Sequence, residues 1–240
     1  MAFAVEVIDL VKFYGKVKAL DGLSFNVSEG EIFGLVGPNG AGKTTTLRII
    51  ATLLKPSSGI VRVFRHDVVE KADEVRKLIS YLPEEAGAYR FLTGREYLEF
   101  MAKIYHMPSS VVEEGIKISG LGAAIDRQVR TYSKGMKRRL LVARTLMVKP
   151  KLAILDEPTS GLDVAHALYV RNTIRKYAKE YGVTVILSSH NMLEVEYLCD
   201  RVALINKGRI VDMGATKELL EKYGVKNLEE VFIKAIGGVA

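Results

Sequence analysis

The chain has 240 residues, 48% of them hydrophobic and 26% charged, with 35 basic against 28 acidic side chains and a net charge of +7. Those proportions exclude a disordered, collagen-like or low-complexity polypeptide, and the length suffices for one large domain whose core needs no disulfide or metal. The single cysteine, Cys199, rules out an intramolecular disulfide framework and suits a reducing compartment. No run reaches the ~18 apolar residues of a membrane span. The opening Met1-Ala2-Phe3-Ala4-Val5-Glu6 lacks the charged-then-apolar build of a secretory signal, so a cytoplasmic location is expected. The positive balance fits an anionic ligand, nucleic acid, a membrane surface or simply a lysine-rich exterior.

In chain order, Val5, Val7 and Leu10 alternate with Glu6 and Asp9, and Leu23-Ser24-Phe25-Asn26-Val27 alternates again beyond a glycine. This period of two predicts short, partly exposed antiparallel strands. From Glu31 the texture changes. Ile32-Phe33-Gly34-Leu35-Val36 is nearly all apolar and runs into a glycine-rich turn, as a strand buried on both faces does. Runs at 152–155, 184–187 and 202–205 share that character, with an amphipathic helix over 164–181 between two of them. Buried strands alternating with helices predict a parallel sheet wound in βαβ units. The stretch 85–150 offers no strand and three helical segments, near 95–105, 110–119 and 133–148, and reads as a helical subdomain inserted into the α/β core. In the last segment Met136, Leu140, Ala143 and Met147 make one apolar face, whereas Lys137-Arg138-Arg139 reads as a solvated one. Asn206-Lys207-Gly208-Arg209 predicts a hairpin turn with glycine supplying positive φ. Asn227 followed by Glu230 predicts the cap of a short final helix within a tail over 215–240.

Gly37-Pro38-Asn39-Gly40-Ala41-Gly42-Lys43-Thr44 satisfies G-x-x-x-x-G-K-[ST]. Glycines let consecutive backbone N–H groups converge on phosphate oxygens, and the helix that follows points its positive end at the same anion. Lys43 would reach the β- and γ-phosphates and Thr44 would offer a hydroxyl to Mg²⁺, with Thr45 next on the helix. Leu152-Ala153-Ile154-Leu155-Asp156-Glu157 delivers two carboxylates to the end of a buried strand. Asp156 is placed to hold Mg²⁺ through oxygen, and Glu157 to activate water as a general base. ATP and Mg²⁺ are the cofactors these residues imply.

Together these motifs resemble the nucleotide-binding subunit of ABC transporters over essentially the whole chain, and the YSKGM and Tyr-Leu-Pro-Glu-Glu segments resemble the drug-exporting branch similar to daunorubicin-resistance transporters. Tyr132-Ser133-Lys134-Gly135-Met136 is similar to the family's signature motif LSGGQ, residues 156–163 to its magnesium and dimer-contact segment, and Ser188-Ser189-His190 to its switch histidine. The resemblance implies a P-loop NTPase (RecA-like) α/β fold: a parallel-sheet core with an N-terminal antiparallel β subdomain and the helical insertion, the chain 1–240 forming a single nucleotide-binding domain. It implies two subunits that sandwich two ATP molecules head to tail, each phosphate loop facing the partner's Ser133, Lys134, Gly135 and Met136. It further implies that Tyr14 stacks on adenine, that His190 contacts the γ-phosphate beside Glu157, and that Asp163 reads the opposite site. The tyrosines and phenylalanines at 89–105 are core residues, with some as candidate contacts for transmembrane subunits. His66, His106 and His166 carry no motif and read as structural.

Two departures from the family pattern matter, one at Glu84 and one in the signature, where Lys134 stands for its first glycine and Met136 for its glutamine. Glu84 stands where the family has a glutamine that ligands Mg²⁺ and senses the γ-phosphate, and an ionised carboxylate cannot donate a hydrogen bond. Lys134 is expected to face solvent. The function expected is ATP hydrolysis powering a membrane exporter from its cytoplasmic face, with separate transmembrane subunits, a second nucleotide-binding subunit that is either identical or related, and no direct nucleic acid. With about 26 residues after Gly214, no regulatory domain of the importer type is expected. A soluble ATPase of the same fold acting on nucleic acid or ribosomes, or an importer subunit, are the alternatives.

Overall fold

Strand β1 (Phe3–Tyr14) and strand β2 (Val17–Ser28) pair antiparallel across a turn at Gly15. They belong to a computed structural model that describes residues 3–237, so Met1, Ala2 and 238–240 of the predicted tail lie outside the described residues. Each strand has 12 residues, longer than the alternation predicts. The spacing of buried residues slips from two to three at Val7–Leu10 and at Leu20–Leu23, which reads as an interruption in one dimension. In space both slips are bulges. Val7 pairs with Phe25, Leu10 with Leu23 and Val11 with Asp21, and Gly22 (φ +75°) is the extra residue that lets Leu20 and Leu23 face one core.

The rest of the chain alternates. Strand β3 (Ile32–Val36) leads to helix α1 (Lys43–Ile50), then β4 (Ser58–Val63), β5 (His66–Asp67), α2 (Ala72–Leu78) and β6 (Ile79–Leu82). Helices α3 (Gly94–Ile104), α4 (Ser110–Ser119) and α5 (Lys134–Leu146) follow, with short 3₁₀ turns between α4 and α5. The chain then runs through β7 (Leu152–Asp156), α6 (Val164–Tyr181), β8 (Thr184–Ser189), α7 (Met192–Leu198), β9 (Arg201–Asn206), β10 (Arg209–Ala215), α8 (Thr216–Tyr223) and α9 (Leu228–Ala235). One sheet has the order β2-β1-β4-β5 and is antiparallel; the other has the order β10-β9-β3-β8-β7-β6, parallel except for β10 at its edge. Every residue of β3, β7 and β8 is buried, as the apolar runs predict.

Strands β4 and β6 carry no such signal. Ser58 to Ile60 of β4 are exposed, and β6 is the four-residue edge of the parallel sheet, so partners rather than pattern define both. Residues 85–150 hold the three expected helices, and among the described residues their one strand-like pairing is the bridge between Thr93 and Gln128. Thr93 and Glu96 form a reciprocal capping box that starts α3. The 206–209 turn places both Lys207 (φ +47°) and Gly208 (φ +75°) in the left-handed region, so the hairpin demands more than the predicted glycine. The tail contains two helices rather than one: Asn227 caps α9 as expected, and Leu219, Leu228, Val231 and Phe232 join the main core.

The two sheets share an apolar layer. Phe25 from β2 stacks on Phe33 from β3 with ring centroids 5.4 Å apart, and Leu47, Ile49 and Ile50 of α1 close the same cluster. This layer fixes the end of β3, and therefore the turn that leaves it. Replacing the fully buried Phe33 by alanine is expected to cost about 3–5 kcal/mol of unfolding free energy in urea, whereas Phe3→Ala at the half-exposed edge changes stability by about 0.5 kcal/mol or less.

Candidate functional site

The turn from β3 into α1 is built to receive an anion. Gly40 (φ +78°) and Gly42 (φ +109°) take left-handed conformations that L side chains rarely adopt, and a Cβ at Gly37 would collide with the Ile205 carbonyl. Helices α3, α5, α6, α7 and α9 are capped by side chains, whereas α1 starts at Gly42 with no side-chain cap and no acid in its first turn. Its first N–H groups and the positive end of its dipole are left for a ligand. They face a cleft of about 340 Å³ lined by residues 39–45 together with Ala19, Glu84 and Glu157. Lys43 is 6% exposed and donates to the carbonyls of Gly37 (2.7 Å) and Pro38 (3.2 Å).

Parallel pairing of β7 and β8 sets Asp156 directly beside Ser188. Asp156 is wholly buried; its Oδ1 accepts hydrogen bonds from Thr44 Oγ1 (3.0 Å) and Ser188 Oγ (2.6 Å), and the Tyr81 hydroxyl points at Oδ2 from 3.4 Å. Burial, with the Asp156 carboxylate beside it, pushes the Tyr81 phenol up to about 12, so it stays a donor. Glu157 follows in a left-handed conformation (φ +47°), a strain of about 1–3 kcal/mol that only a well-determined site retains. Its N–H donates to Ser188 Oγ (2.9 Å), and its carboxylate lies 3.5 Å from Lys43 Nζ and 2.8 Å from His190 Nδ1. Three of the expected residues, Lys43, Glu157 and His190, therefore meet at one point, and Asp156 is joined to Glu157 through Ser188. Ser188 joins them as the hinge of two hydrogen bonds. Its signal in the sequence was a hydroxyl at the end of a buried strand, legible only once the register is known.

Oxygen ligands for a cation come from Thr44 and Asp156, with Glu84 on the cleft wall; no group of three or more His, Cys, Asp or Glu residues forms a cage among the described residues. One carboxylate and one hydroxyl at 3.0 Å suit Mg²⁺, which keeps several waters and takes its remaining ligands from phosphate oxygens.

The signature residues do not join this cleft within the chain. Ser133 caps α5 with Oγ accepting the Met136 N–H (3.2 Å), Gly135 packs against the His166 ring so closely that a Cβ would not fit, and Met136 is half-buried. Lys134 is exposed, as expected, but its chain lies over Gly161. Asp163 caps α6, accepting from the His166 N–H (2.9 Å) with the imidazole Nδ1 at 2.9 Å; these bonds hold its carboxyl below the ordinary value. His166 is thus structural, as expected. Tyr14 is half exposed with the Lys12 ammonium 5.4 Å from its ring, outside the residues that line the cleft.

Arg138 corrects the expected solvated face. Within Lys137-Arg138-Arg139, Arg138 is 7% exposed and Arg139 lays its guanidinium on the Tyr169 ring, 3.9 Å from the centroid. Arg138 donates five hydrogen bonds to backbone carbonyls, those of Pro83, Glu84, Asp156, Glu157 and Pro158, at 2.7–3.1 Å. Burial pulls its pKa down to about 10 against the pull of the Asp156, Glu84 and Glu157 carboxylates, so it remains charged at neutral pH. Nothing in a basic triplet distinguishes the inward residue, because the helical face depends on what packs against α5. Arg138→Met is expected to cost about 3 kcal/mol or more in denaturant unfolding, because buried carbonyls lose a charged donor; Lys137→Met is expected to cost less than 1 kcal/mol.

Residues 20–160 match the ABC transporter family. The chain is 42% identical over 225 residues to the daunorubicin/doxorubicin resistance ATP-binding protein DrrA of Streptomyces peucetius, covering 92% of this chain and 68% of that protein. It is 39% identical over 213 residues to the bacitracin transport ATP-binding protein BcrA of Bacillus licheniformis, covering 88% of this chain and 70% of that protein. A solved ATP-binding subunit of an ABC transporter superposes with a TM-score of 0.86 at 26% identity, over 97% of this chain and 99% of the other. With the family matched over 20–160 and 97% of the chain superposed on a solved member, the chain belongs to the ABC transporter family as an ATP-binding, ATP-hydrolysing subunit with the P-loop fold.

Proposed function

We propose that this subunit works as one half of a head-to-tail pair docked on transmembrane subunits at the cytoplasmic face of a membrane, and that the transporter it drives is an exporter. The observation that carries the pairing is a complementarity. The chain presents a phosphate cleft lined by residues 39–45 and an uncommitted signature at Ser133–Met136 that lines no part of that cleft, so each lacks what a second subunit would offer. The second subunit is either another copy or a related chain. Exporter function is supported by 42% identity to a protein named for daunorubicin and doxorubicin resistance. No helix among the described residues is long and apolar enough to cross a membrane, which fits a subunit that relies on others for the pathway. Tyr89, Phe91 and Phe100 are exposed, Tyr89 resting edge-on against Phe100 at 5.2 Å, and are the aromatic residues we assign to the transmembrane contact; Tyr97 is core. We read residues 1–240 as one nucleotide-binding domain, α3–α5 as its insertion and 215–240 as its short tail. Nucleic acid has no part in this reading.

The residue roles we assign draw on this geometry and on the family resemblance. Lys43 is held by two loop carbonyls and lies 3.5 Å from the Glu157 carboxylate; a phosphate in the cleft would draw it forward and release the carboxylate. Backbone N–H groups of the loop 37–45, Pro38 having none, cradle the phosphates and Tyr14 covers the adenine. Thr44 and Asp156 would hold Mg²⁺, with Glu84 at the wall, and the ion supplies charge neutralisation on the phosphate oxygens. Glu157, steered through His190 Nδ1, takes the proton of the attacking water, and the other face of His190 meets the γ-phosphate. Ser133, Lys134, Gly135 and Met136 contact the γ-phosphate bound by the partner subunit, with Asp163 beside them.

Two outcomes test this. Glu157→Gln is expected to bind ATP while turnover falls about 10²–10⁴-fold, and, held with ATP, to retain a polytopic membrane protein in pull-downs from detergent-solubilised membranes. Near-normal hydrolysis, or capture of ribosomes with empty membranes, would count against it. Glu84→Ala is expected to shift the Mg²⁺ concentration needed for half-maximal hydrolysis upward; an unchanged Mg²⁺ titration would remove Glu84 from the metal set.

A further inference from the structure

Between Glu157 and α6 the chain makes a contact that catalysis, as read above, does not use. Thr159 is 7% exposed and its hydroxyl donates to the carboxylate of Glu194, which sits on α7 and is itself 6% exposed. Arg171 of α6, Glu157 after β7 and His190 ahead of α7 face that carboxylate. The N–H of Glu194 donates to Asn191 Oδ1 (3.1 Å), and the Asn191 N–H donates to Ser189 Oγ (3.0 Å), so the turn that bears His190 is pinned on both sides of the histidine. A cavity of about 240 Å³ joins these groups: Glu157, Thr159, Arg171, His190, Asn191 and Glu194 all line it. A carboxyl drawn out of water costs solvation that only a partner offsets, and burial does raise its pKa. The segment it holds is already fixed at its ends, by Arg138 at the Pro158 carbonyl and by the Asp163 cap of α6. Thr159 is the point of attachment between them.

We infer that Glu194 is a positioning residue: through Thr159 it ties the 158–163 segment to the helix behind His190, and so keeps His190 in register with Glu157 for hydrolysis. The inference rests on the roles given to Glu157 and His190 above. Glu194 touches no residue of the phosphate loop; its effect runs through the backbone of α7. When the tie is cut, a buried carboxyl seeks water and carries the start of α7 with it, and displacement on the scale of 1 Å at a reacting group is enough to cost up to about 10²-fold in rate.

The test uses the full chain and the variants Thr159→Val, Glu194→Ala, Glu194→Gln and the double Thr159→Val/Glu194→Ala. The expected result is a loss of roughly tenfold or more in kcat for Thr159→Val and for Glu194→Ala, with KM and the affinity for a fluorescent ATP analogue within about twofold of the parent. The double variant should be no slower than the worse single one, and Glu194→Gln should recover most of the rate because its amide oxygen accepts the same hydroxyl. Losses that multiply, a KM that moves with kcat, or a glutamine no better than alanine would overturn the inference. Thr159→Val preserves volume and carries the test where Glu194→Ala does not fold. Hydrogen exchange in the same variants without nucleotide separates this inference from the site reading. Faster exchange at both 158–163 and 190–194 supports the tie, and faster exchange at the substituted segment alone refutes it. A Glu157→Gln enzyme with full turnover would instead refute the site reading and leave that exchange result intact.

Discussion

The catalytic end of the parallel sheet depends on one buried guanidinium. Arg138 reaches from α5 to the carbonyls of Pro83 and Glu84 beyond β6, to that of Asp156 at the end of β7 and to those of Glu157 and Pro158 beyond it. Loop backbone at a strand end has no sheet partner, and its carbonyls must be satisfied if they are to be buried. A planar fork with five donors can satisfy several at once, which an ammonium cannot. The desolvation of the charge is offset by those bonds and by the carboxylates of Asp156, Glu84 and Glu157 nearby. The same helix is capped by Ser133, so one helix links the Ser133–Met136 segment to the backbone of Asp156 and Glu157.

Around that anchor the polar groups form a closed account. Ser188 donates to Asp156 and accepts from the N–H of Glu157, Thr44 donates to Asp156, and His190 and Lys43 flank the Glu157 carboxylate. In an interior of low dielectric each of these bonds is strong when made and costly when missing. This is why a glutamate can be held in a left-handed backbone conformation beside a wholly buried aspartate. Lys43 stands on the wall of the phosphate cleft, shared between two loop carbonyls and the Glu157 carboxylate. Pre-organisation of this kind lowers the reorganisation that the reaction itself must supply.

The helices between β6 and β7 are joined to the sheet by packing rather than by strand pairing. Leu140, Leu141 and Leu146 of α5 enter the same apolar cluster as Leu155 and Leu187 of the sheet, while Arg144 donates to the Tyr81 carbonyl (3.1 Å) beside the Asp156 network. Tyr89, Phe91 and Phe100 of the same segment are exposed.

Much of this was legible in one dimension because the physics was local. A glycine-rich turn after an apolar run requires positive φ and an open helix end, and Gly37–Thr44 state both in consecutive residues. The buried strands at 152–155, 184–187 and 202–205, the helices at 110–119 and 164–181, and the Asn227 cap are set by periodicity and by side chains within one turn of the backbone they satisfy. What tertiary structure decided was every feature that depends on a distant partner. The bulges at Asp9 and Gly22 turned interrupted alternation into two long strands, because only the facing strand restores the register. Strands β4 and β6 exist because β1 and β7 offer them hydrogen bonds. Arg138 among three basic residues, and Ser188 among two serines, became central through contacts 18 and 32 residues away in sequence. A charge or hydroxyl carries no mark of the side it faces; the packing of α5 and the pairing of β7 with β8 assign it.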